Sequence, residues 1–172
     1  HMAQAQYAPP PRTPPQPQPP AARRGVERGR LLAMATDRKA SRQLQDALPG
    51  MSDAQVASAV RELGPHLYAL SKHASGNYIV SRLASMPRAH EPLQAALTGH
   101  VAELLVHPQG SRVVQAAVAE LPEAAARALV GEVEGLVRQV GLDTHGSWGI
   151  CAAYKRTHAP FLLREVVEHV HE

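Results

Sequence analysis

Aromatic residues are scarce in this 172-residue chain, which contains one Phe, one Trp and four Tyr. Its core must therefore be built from Ala, Leu and Val, which suits closely packed helices. The single cysteine, Cys151, excludes an internal disulfide and favours a reducing intracellular compartment. No apolar run approaches the ~18 residues that a membrane-spanning helix needs, so no membrane association is expected.

Motifs for catalysis and for metal binding are also missing from the sequence. It has no nucleophile elbow, no phosphate-binding glycine loop and no Cys/His set with metal-ligand spacing. His169 and His171 are two positions apart, which points them to different faces of a helix. We therefore predict a protein that is not an enzyme and that has no cofactor and no metal.

The charge is balanced once the first residues are set aside. The formal net charge of +3 is matched by Arg12, Arg23 and Arg24, and from Gly25 onward 15 basic residues stand against 15 acidic ones. Any attraction to phosphate groups must then come from the local placement of cations, because the chain as a whole supplies none.

The first 28 residues have a composition of their own. Eight prolines and no acidic residue lie between His1 and Arg24. So little apolar surface cannot offset the entropy of ordering the chain, and we predict a disordered Pro-rich tail over residues 1–28. The first two residues, His1 and Met2, are typical of a cloning remnant.

A short polar pattern recurs along the remaining residues. Its first member falls at positions 41, 77, 111 and 147, so the steps are 36, 34 and 36 residues. Periods of this length indicate stacked supersecondary units. We divide the chain into four units, at about 29–64 (unit 1), 65–99 (unit 2), 100–135 (unit 3) and 136–172 (unit 4).

Apolar spacing predicts three helices in each unit. In unit 3 they cover 100–106, 111–121 and 123–136, with Pro108 and Pro122 as the breaks. Ser52 and Gln55 form a capping-box signal that opens the third helix of unit 1. No strand alternation is sustained, so the predicted fold is an all-α solenoid. The other predicted helices are 31–35 and 40–48 in unit 1, 67–70, 77–86 and 91–97 in unit 2, and 136–141, 147–155 and 161–171 in unit 4.

Each second helix carries a set of three side chains, at positions i, i+1 and i+4. On a helix the first and third of these lie one above the other, with the second at their shoulder. We therefore predict that each unit presents its set on one exposed face. The sets are Ser41, Arg42 and Gln45; Asn77, Tyr78 and Ser81; Ser111, Arg112 and Gln115; and Ser147, Trp148 and Cys151.

These units resemble the Pumilio (PUF) repeat. The strings SRQLQ at 41–45 and SRVVQ at 111–115 match its tripartite pattern fully, and HPQGSRVVQ matches in its wider context. NYIVS at 77–81 matches at two of three positions, and SWGIC at 147–151 departs most. The resemblance spans roughly residues 29–170, with fewer repeats than family members usually have.

The resemblance implies binding of single-stranded RNA, one base per repeat, with the protein antiparallel to the RNA. It implies that units 1 and 3 each hold an adenine and that Asn77 with Tyr78 holds a uracil, although Ser81 stands where the family has Gln. Unit 4 should choose little between bases, which gives a target core of 5′-N-A-U-A-3′. The implied role is post-transcriptional regulation or RNA processing, with mRNA in the cytoplasm as the expected partner and nucleolar or organellar RNA as alternatives.

Simpler interpretations of the same residues stay open. Gly before Ser or Asn is typical of a helix N-cap, Arg42 and Arg112 could be ordinary surface arginines, and Trp148 could pack against a neighbouring helix. The alternative function is a HEAT- or armadillo-like scaffold that binds a protein, which the balanced charge favours. The last helix has no following repeat to cover it, and it could support a homodimer, bind a protein partner or dock the tail.

Overall fold

The computed structural model describes residues 29–168, and this range forms twelve α-helices and no β-strand. The predicted all-α solenoid is confirmed, whereas the predicted tail and the end of the last predicted helix lie outside the described residues. The helices are α1 (Arg30–Thr36), α2 (Ala40–Ala47), α3 (Asp53–Leu63), α4 (Leu67–Lys72), α5 (Gly76–Ala84), α6 (His90–Leu97), α7 (Val101–Leu105), α8 (Gly110–Glu120), α9 (Glu123–Gly131), α10 (Val137–Gly141), α11 (Thr144–Thr157) and α12 (Pro160–Glu168).

Three consecutive helices make up each unit, and we keep the four-unit division as a proposal. Within a unit the first helix packs on the second, and the third packs on one or both of them. Between units the second helices pack side by side, in the order α2, α5, α8 and α11. These four helices form one continuous layer, and this layer carries the predicted site.

The core consists almost entirely of Ala, Leu and Val side chains. Leu44, Leu83 and Leu104 are among the largest fully buried residues, and Ile79, Ile150 and Phe161 are the additions that the sequence prediction omitted. Small and medium aliphatic side chains allow the helices of neighbouring units to pack closely.

In units 1, 3 and 4, a glutamate near the end of the unit accepts hydrogen bonds from backbone amides at the start of the first helix. The carboxylate of Glu132 accepts hydrogen bonds from Gly99 N at 2.9 Å and Val101 N at 3.2 Å, which are free donors at the start of α7. Glu62 does the same for α1, and Glu165 does so for α10. The last part of each of these units therefore fixes the first helix of the same unit.

The third helix of unit 3 is shorter than the predicted 123–136. It ends at Gly131, and a turn follows in which Glu132 N donates to Leu129 O at 3.2 Å. Gly135 has φ 82°, a left-handed conformation that glycine adopts without steric cost. The apolar spacing in the sequence continues to residue 136, although the helix itself ends at Gly131.

A polar cluster joins the first helices of units 2 and 3. Glu103 accepts from Tyr68 OH at 2.7 Å and from Lys72 Nζ at 2.8 Å. The hydrogen bond from Lys72 lowers the pKa of the Glu103 carboxyl, and the bond to Glu103 raises the pKa of Lys72. The ion pair between Lys72 and Glu103 thus joins unit 2 to unit 3 through their first helices.

The predicted capping box is present at the start of α3. Ser52 N donates to Gln55 Oε1 at 2.8 Å, and Gln55 N donates to Ser52 Oγ at 3.4 Å. Two donors at the helix start are satisfied reciprocally, as the sequence spacing indicated.

Candidate nucleic-acid interface

The second residue of each set projects from the layer of second helices. Arg42 and Arg112 are exposed, Tyr78 is 46% exposed and Trp148 is 70% exposed. Both aromatic rings therefore lie outside the core, where a bound molecule can reach them. Trp148 does not pack into a neighbouring helix. We call the surface carrying these four residues the ladder face.

Two clefts lie between successive residues of the ladder face. The first has a volume of about 420 Å³ and is bordered by Arg42 and Tyr78. The second has a volume of about 460 Å³ and is bordered by Tyr78, Arg112 and Trp148. Tyr78 borders both clefts, so all four side chains belong to one continuous surface. Each cleft has planar groups on its sides.

A direct hydrogen bond links two of these planar groups. Arg112 Nη1 donates to Tyr78 OH at 3.2 Å, although the residues are 34 positions apart in sequence. Both side chains are thereby oriented by their neighbour in the adjacent unit, which lowers the entropy lost when a ligand fixes them.

The first residue of each set is not exposed as predicted. Ser41, Asn77 and Ser111 are 2%, 1% and 3% exposed, and Ser147 is half-buried. Position i of each second helix faces the adjoining helices, so these side chains lie at the floor of the clefts. The prediction that all three residues of a set project together is wrong at the first position in units 1 to 3.

The side chain of Asn77 is satisfied on one side only. Its Nδ2 donates to His73 O at 2.8 Å and to Ala74 O at 3.0 Å. Its Oδ1 is buried and has no hydrogen-bond partner within the described part of the chain. An unpaired buried acceptor costs free energy. Asn77 lines the second cleft, so a donor bound there reaches this acceptor only if the surrounding atoms move aside.

The hydroxyl of Ser111 forms two hydrogen bonds within the protein. It donates to His145 O in unit 4 at 2.9 Å and accepts from Gln115 Nε2 at 3.0 Å. Ser111 therefore positions Gln115, and the amide oxygen of Gln115 stays free for other contacts.

The third residues of the sets are more accessible than the first. Gln45, Ser81 and Gln115 are half-buried, and Cys151 is exposed. Gln45 has no hydrogen-bond partner among residues 29–168, so both ends of its amide are available. Unit 1 thus presents a free amide where unit 3 presents a tethered one.

Sequence reasoning missed the residue that lies four positions before each set. Asp37 Oδ1 accepts from Ala40 N at 2.6 Å, and Asp143 Oδ1 accepts from Gly146 N at 3.0 Å. In units 2 and 3, His73 Nδ1 and His107 Nδ1 each accept from a glycine N at 3.2 Å. These side chains satisfy donors at the start of the second helices. The recurring Asp or His at a fixed distance was the signal that could have found them.

The N-cap interpretation of the first polar residues is therefore wrong. Ser41 Oγ and Ser147 Oγ donate to carbonyl oxygens three residues earlier, at 3.3 and 3.1 Å, instead of accepting from helix-start amides. In unit 4 the capping residue is Asp143, whose hydrogen bonds from Gly146 N and His145 N lower the pKa of its carboxyl. This cap also explains why α11 begins at Thr144 rather than at Ser147.

Comparison with solved structures places this geometry among known ones. The Puf3 RNA-binding domain bound to a Cox17 RNA 3′ UTR recognition sequence superposes with a TM-score of 0.79 at 22% identity, over 86% of this chain and 43% of that one. PUF-8 in complex with PBE-RNA gives a TM-score of 0.75 at 22% identity, over 82% and 42%. The RNA-binding domain of yeast Puf5p bound to SMX2 RNA gives 0.71 at 10% identity, over 84% and 43%.

The chain has the PUF-repeat fold. It spans less than half the length of each of these three structures. No protein-family profile matches the sequence, and a sequence search of curated proteins finds no match. The fold is therefore established by the arrangement of helices, at a level of identity where sequence alone shows little.

Cations on the ladder face of this PUF fold lack acidic partners. Arg42, Arg82 and Arg112 form no ion pair among residues 29–168, although Glu120 lines a cleft beside Arg82. The ion pairs within that range lie on first helices, third helices or connecting turns, and they join Lys72 to Glu103, Arg88 to Asp53, His100 to Glu103, Arg127 to Glu123 and Arg164 to Glu134. A balanced total charge thus conceals an uncompensated positive charge at the clefts.

Two other kinds of site find no support in the PUF-fold region. Among residues 29–168, no group of His, Cys, Asp and Glu is arranged to hold a metal ion. In the same range, no helix is both long enough and apolar enough to cross a membrane.

Proposed function

We propose that this chain binds single-stranded RNA, one base per unit, without catalysing a reaction. The observation that carries the proposal is the pair of clefts on the ladder face, which have planar side chains at their sides and amide groups at their floor. The solved structures that share the fold are described as bound to RNA, which supports the same role here. Binding of an mRNA would serve post-transcriptional regulation.

Stacking supplies sequence-independent affinity in this proposal. Bases enter between Arg42, Tyr78, Arg112 and Trp148, and each planar group contributes about 1 to 3 kcal/mol per base. Guanidinium planes stack on bases and also attract the phosphate backbone. The unpaired cations near the clefts add an electrostatic contribution that weakens as salt rises.

Unit 2 presents a hydrogen-bond acceptor, and this favours a base with a donor on its edge. Both amide hydrogens of Asn77 are already used, so Oδ1 is the group left for the base, and it meets the base once a shift of the side chain exposes it to the cleft. The N3–H group of uracil is such a donor, and the hydroxyl of Ser81 can contact a neighbouring carbonyl oxygen. This agrees with uracil as the base of unit 2.

Units 1 and 3 present a glutamine amide, which can both donate and accept. An adenine edge offers one donor and one acceptor, so a planar amide can pair with both. In unit 3 the hydroxyl proton of Ser111 is already donated to a backbone carbonyl, so Gln115 is the main group that contacts the base edge. Unit 4 combines strong stacking by Trp148 with the weak hydrogen-bonding group of Cys151, so little base preference is expected there. The resulting core is 5′-N-A-U-A-3′.

Four units should bind RNA weakly. Stacking and edge contacts together are offset by the cost of association and of ordering a flexible RNA. We expect a dissociation constant of about 1 µM or weaker for one chain.

A fluorescence titration tests RNA binding directly. Trp148 is the only tryptophan in the sequence and is 70% exposed on the ladder face. Stacking on a base should quench or shift its emission when a short AUA-containing RNA is added, with a smaller response to a scrambled sequence of equal length. Identical flat responses to both RNAs would contradict the proposal.

A pair of variants separates stacking from general charge. Arg42→Ala with Arg112→Ala removes two planar groups from the ladder face, and we expect at least about tenfold weaker RNA binding. The matched control is Arg88→Ala with Arg127→Ala, which removes the same charge from ion pairs outside the second helices. Helical circular dichroism should be unchanged in both.

The second candidate is a helical scaffold that binds a protein through the same face. The equal numbers of acidic and basic residues from Gly25 onward favour it. RNA binding that is absent, or equally strong in both double variants, would support this candidate over the first.

A further inference from the structure

A second arginine borders the first of the two clefts on the ladder face. This cleft, of about 420 Å³, is lined by Arg38 as well as by Arg42 and Tyr78. Arg38 belongs to none of the four sets, because it precedes α2 and lies three residues before Ser41. The recurring polar pattern in the sequence therefore gives it no role.

The position that Arg38 holds in unit 1 is exposed in all four units, but it carries a cation in unit 1 alone. Its accessibility therefore does not depend on its place near the start of the stack. The equivalent residues are Ala74 in unit 2, Pro108 in unit 3 and Thr144 in unit 4. Among the described residues, two arginines line the first cleft, whereas one lines the second.

The charge of Arg38 has no acidic partner. Its guanidinium is exposed and makes no hydrogen bond or ion pair within residues 29–168. The adjacent carboxylate, that of Asp37, is directed to backbone amides, since its Oδ1 accepts from Lys39 N at 2.9 Å and from Ala40 N at 2.6 Å. In the same part of the chain, no acidic side chain lines the first cleft. An anion can therefore approach this side of the cleft without meeting a carboxylate there.

The backbone of Arg38 is held beside the floor of the cleft. Ser41 Oγ donates to Arg38 O at 3.3 Å, and Ser41 N donates to Asp37 O at 2.9 Å. A base whose edge faces the floor has its ribose and phosphates at the opening of the cleft, because the sugar is attached away from the edge that pairs. A guanidinium at this opening can reach a phosphate oxygen, and its planar fork suits two parallel hydrogen bonds to that group.

We infer that Arg38 binds a phosphate group of the RNA nucleotide whose base occupies the first cleft. The inference rests on the proposed function and adds a contact that is independent of sequence. Unit 1 then holds both parts of one nucleotide, with Arg42 stacked on the base and Arg38 paired with the phosphate.

The salt dependence of binding tests the charge of Arg38. Arg38→Ala should weaken binding of a short AUA-containing RNA about three- to fivefold, since an exposed ion pair is lost. The slope of log K against log salt concentration should become shallower by about 0.7. The preference for AUA over a scrambled RNA should stay the same, because a phosphate contact carries no sequence information. Arg38→Lys keeps the charge and should keep the slope.

The matched control is Arg61→Ala on α3. Arg61 is also exposed and without an ion pair within residues 29–168, but it lines neither cleft of the ladder face. Its removal should leave both the affinity and the salt slope unchanged. Circular dichroism checks that all variants fold.

Neutral phosphates test the contact itself. One phosphate at a time in the AUA-containing RNA is replaced by an uncharged methylphosphonate, and each RNA is titrated by fluorescence anisotropy against the parent chain and Arg38→Ala. One replacement beside the base of unit 1 should weaken binding to the parent about three- to fivefold and leave binding to Arg38→Ala nearly unchanged.

The possible outcomes separate this inference from the proposed function. If the parent binds RNA but every replacement weakens parent and variant equally, or if Arg38→Ala behaves like Arg61→Ala, the inference is overturned and the proposed function stands. If the parent binds no RNA at any salt concentration, both are overturned.

Discussion

At the residue scale, the second helices carry two kinds of polar residue: buried ones that bond within the protein, and exposed ones that a ligand can reach. Asn77 is buried and bonded to the backbone of the preceding turn, and Ser111 is buried and bonded to the backbone of unit 4. Tyr78 and Arg112, in contrast, are exposed and bonded to each other. The buried pair fixes the geometry of the cleft floor. The exposed pair forms its side, and Gln115 completes the surface that a base would meet.

Gln45→Glu should change the base that unit 1 prefers. The amide of Gln45 has no partner in the described part of the chain, so its replacement disturbs no internal hydrogen bond. A carboxylate only accepts hydrogen bonds, which favours the two donors on the edge of guanine over the mixed edge of adenine. Titrations with RNAs that differ at this base should show the preference shift by about 1 to 3 kcal/mol. An unchanged preference for adenine would show that Gln45 does not read the base.

His73→Ala should lower stability by about 1 kcal/mol, because two amide donors at the start of α5 lose their acceptor. His73→Asp should restore most of this loss, since Asp37 and Asp143 hold the equivalent position in units 1 and 4. Urea unfolding followed by circular dichroism measures both. His66→Ala, at an exposed position outside the second helices, is the control and should stay within about 0.5 kcal/mol of the parent. Equal effects of all three changes would contradict a capping role.

At the element scale, the close approach of first and second helices sets the geometry of each unit. A Cβ added to Gly110 would lie 2.7 Å from Leu104 O, and one added to Gly76 would lie 2.7 Å from Leu70 Cδ2. The glycine before each set in units 2 to 4 therefore lets two helices touch, and it does not itself form part of the ladder face.

Gly110→Ala should destabilise the protein by about 1 to 3 kcal/mol, even though Ala is the better helix former. The reason is the contact with the carbonyl of Leu104, a backbone atom that cannot turn aside. Gly131→Ala is the matched control, because a Cβ there meets nothing within 4 Å. It should be neutral or stabilising by up to about 1 kcal/mol. Thermal and urea unfolding measure the stability of both variants. Equal free energies of unfolding would contradict this packing argument.

At the scale of the whole molecule, the ladder face extends over all four units, because the four second helices pack side by side. Arg42 and Arg112 on this face form no ion pair among residues 29–168. The proposed affinity for RNA should therefore weaken as the salt concentration rises.

The helices and their order could be predicted from sequence because the signals are local. Breaks at Pro108 and Pro122 and the capping box at Ser52 act within a few residues of themselves, and the helices begin and end close to them. The prediction for 123–136 was wrong because apolar spacing continued through a turn at Gly131 that propensity does not mark strongly.

The sequence by itself determined the repeat period, the helical content and the positions of the planar residues Arg42, Tyr78, Arg112 and Trp148. A side chain's direction from its own helix follows from the helical period, so this much is fixed locally. Only the tertiary structure decided that Ser41, Asn77 and Ser111 are buried and that Arg112 bonds to Tyr78. Those facts depend on which neighbouring helix lies across each position, and residues about 34 apart in sequence bring that neighbour into place.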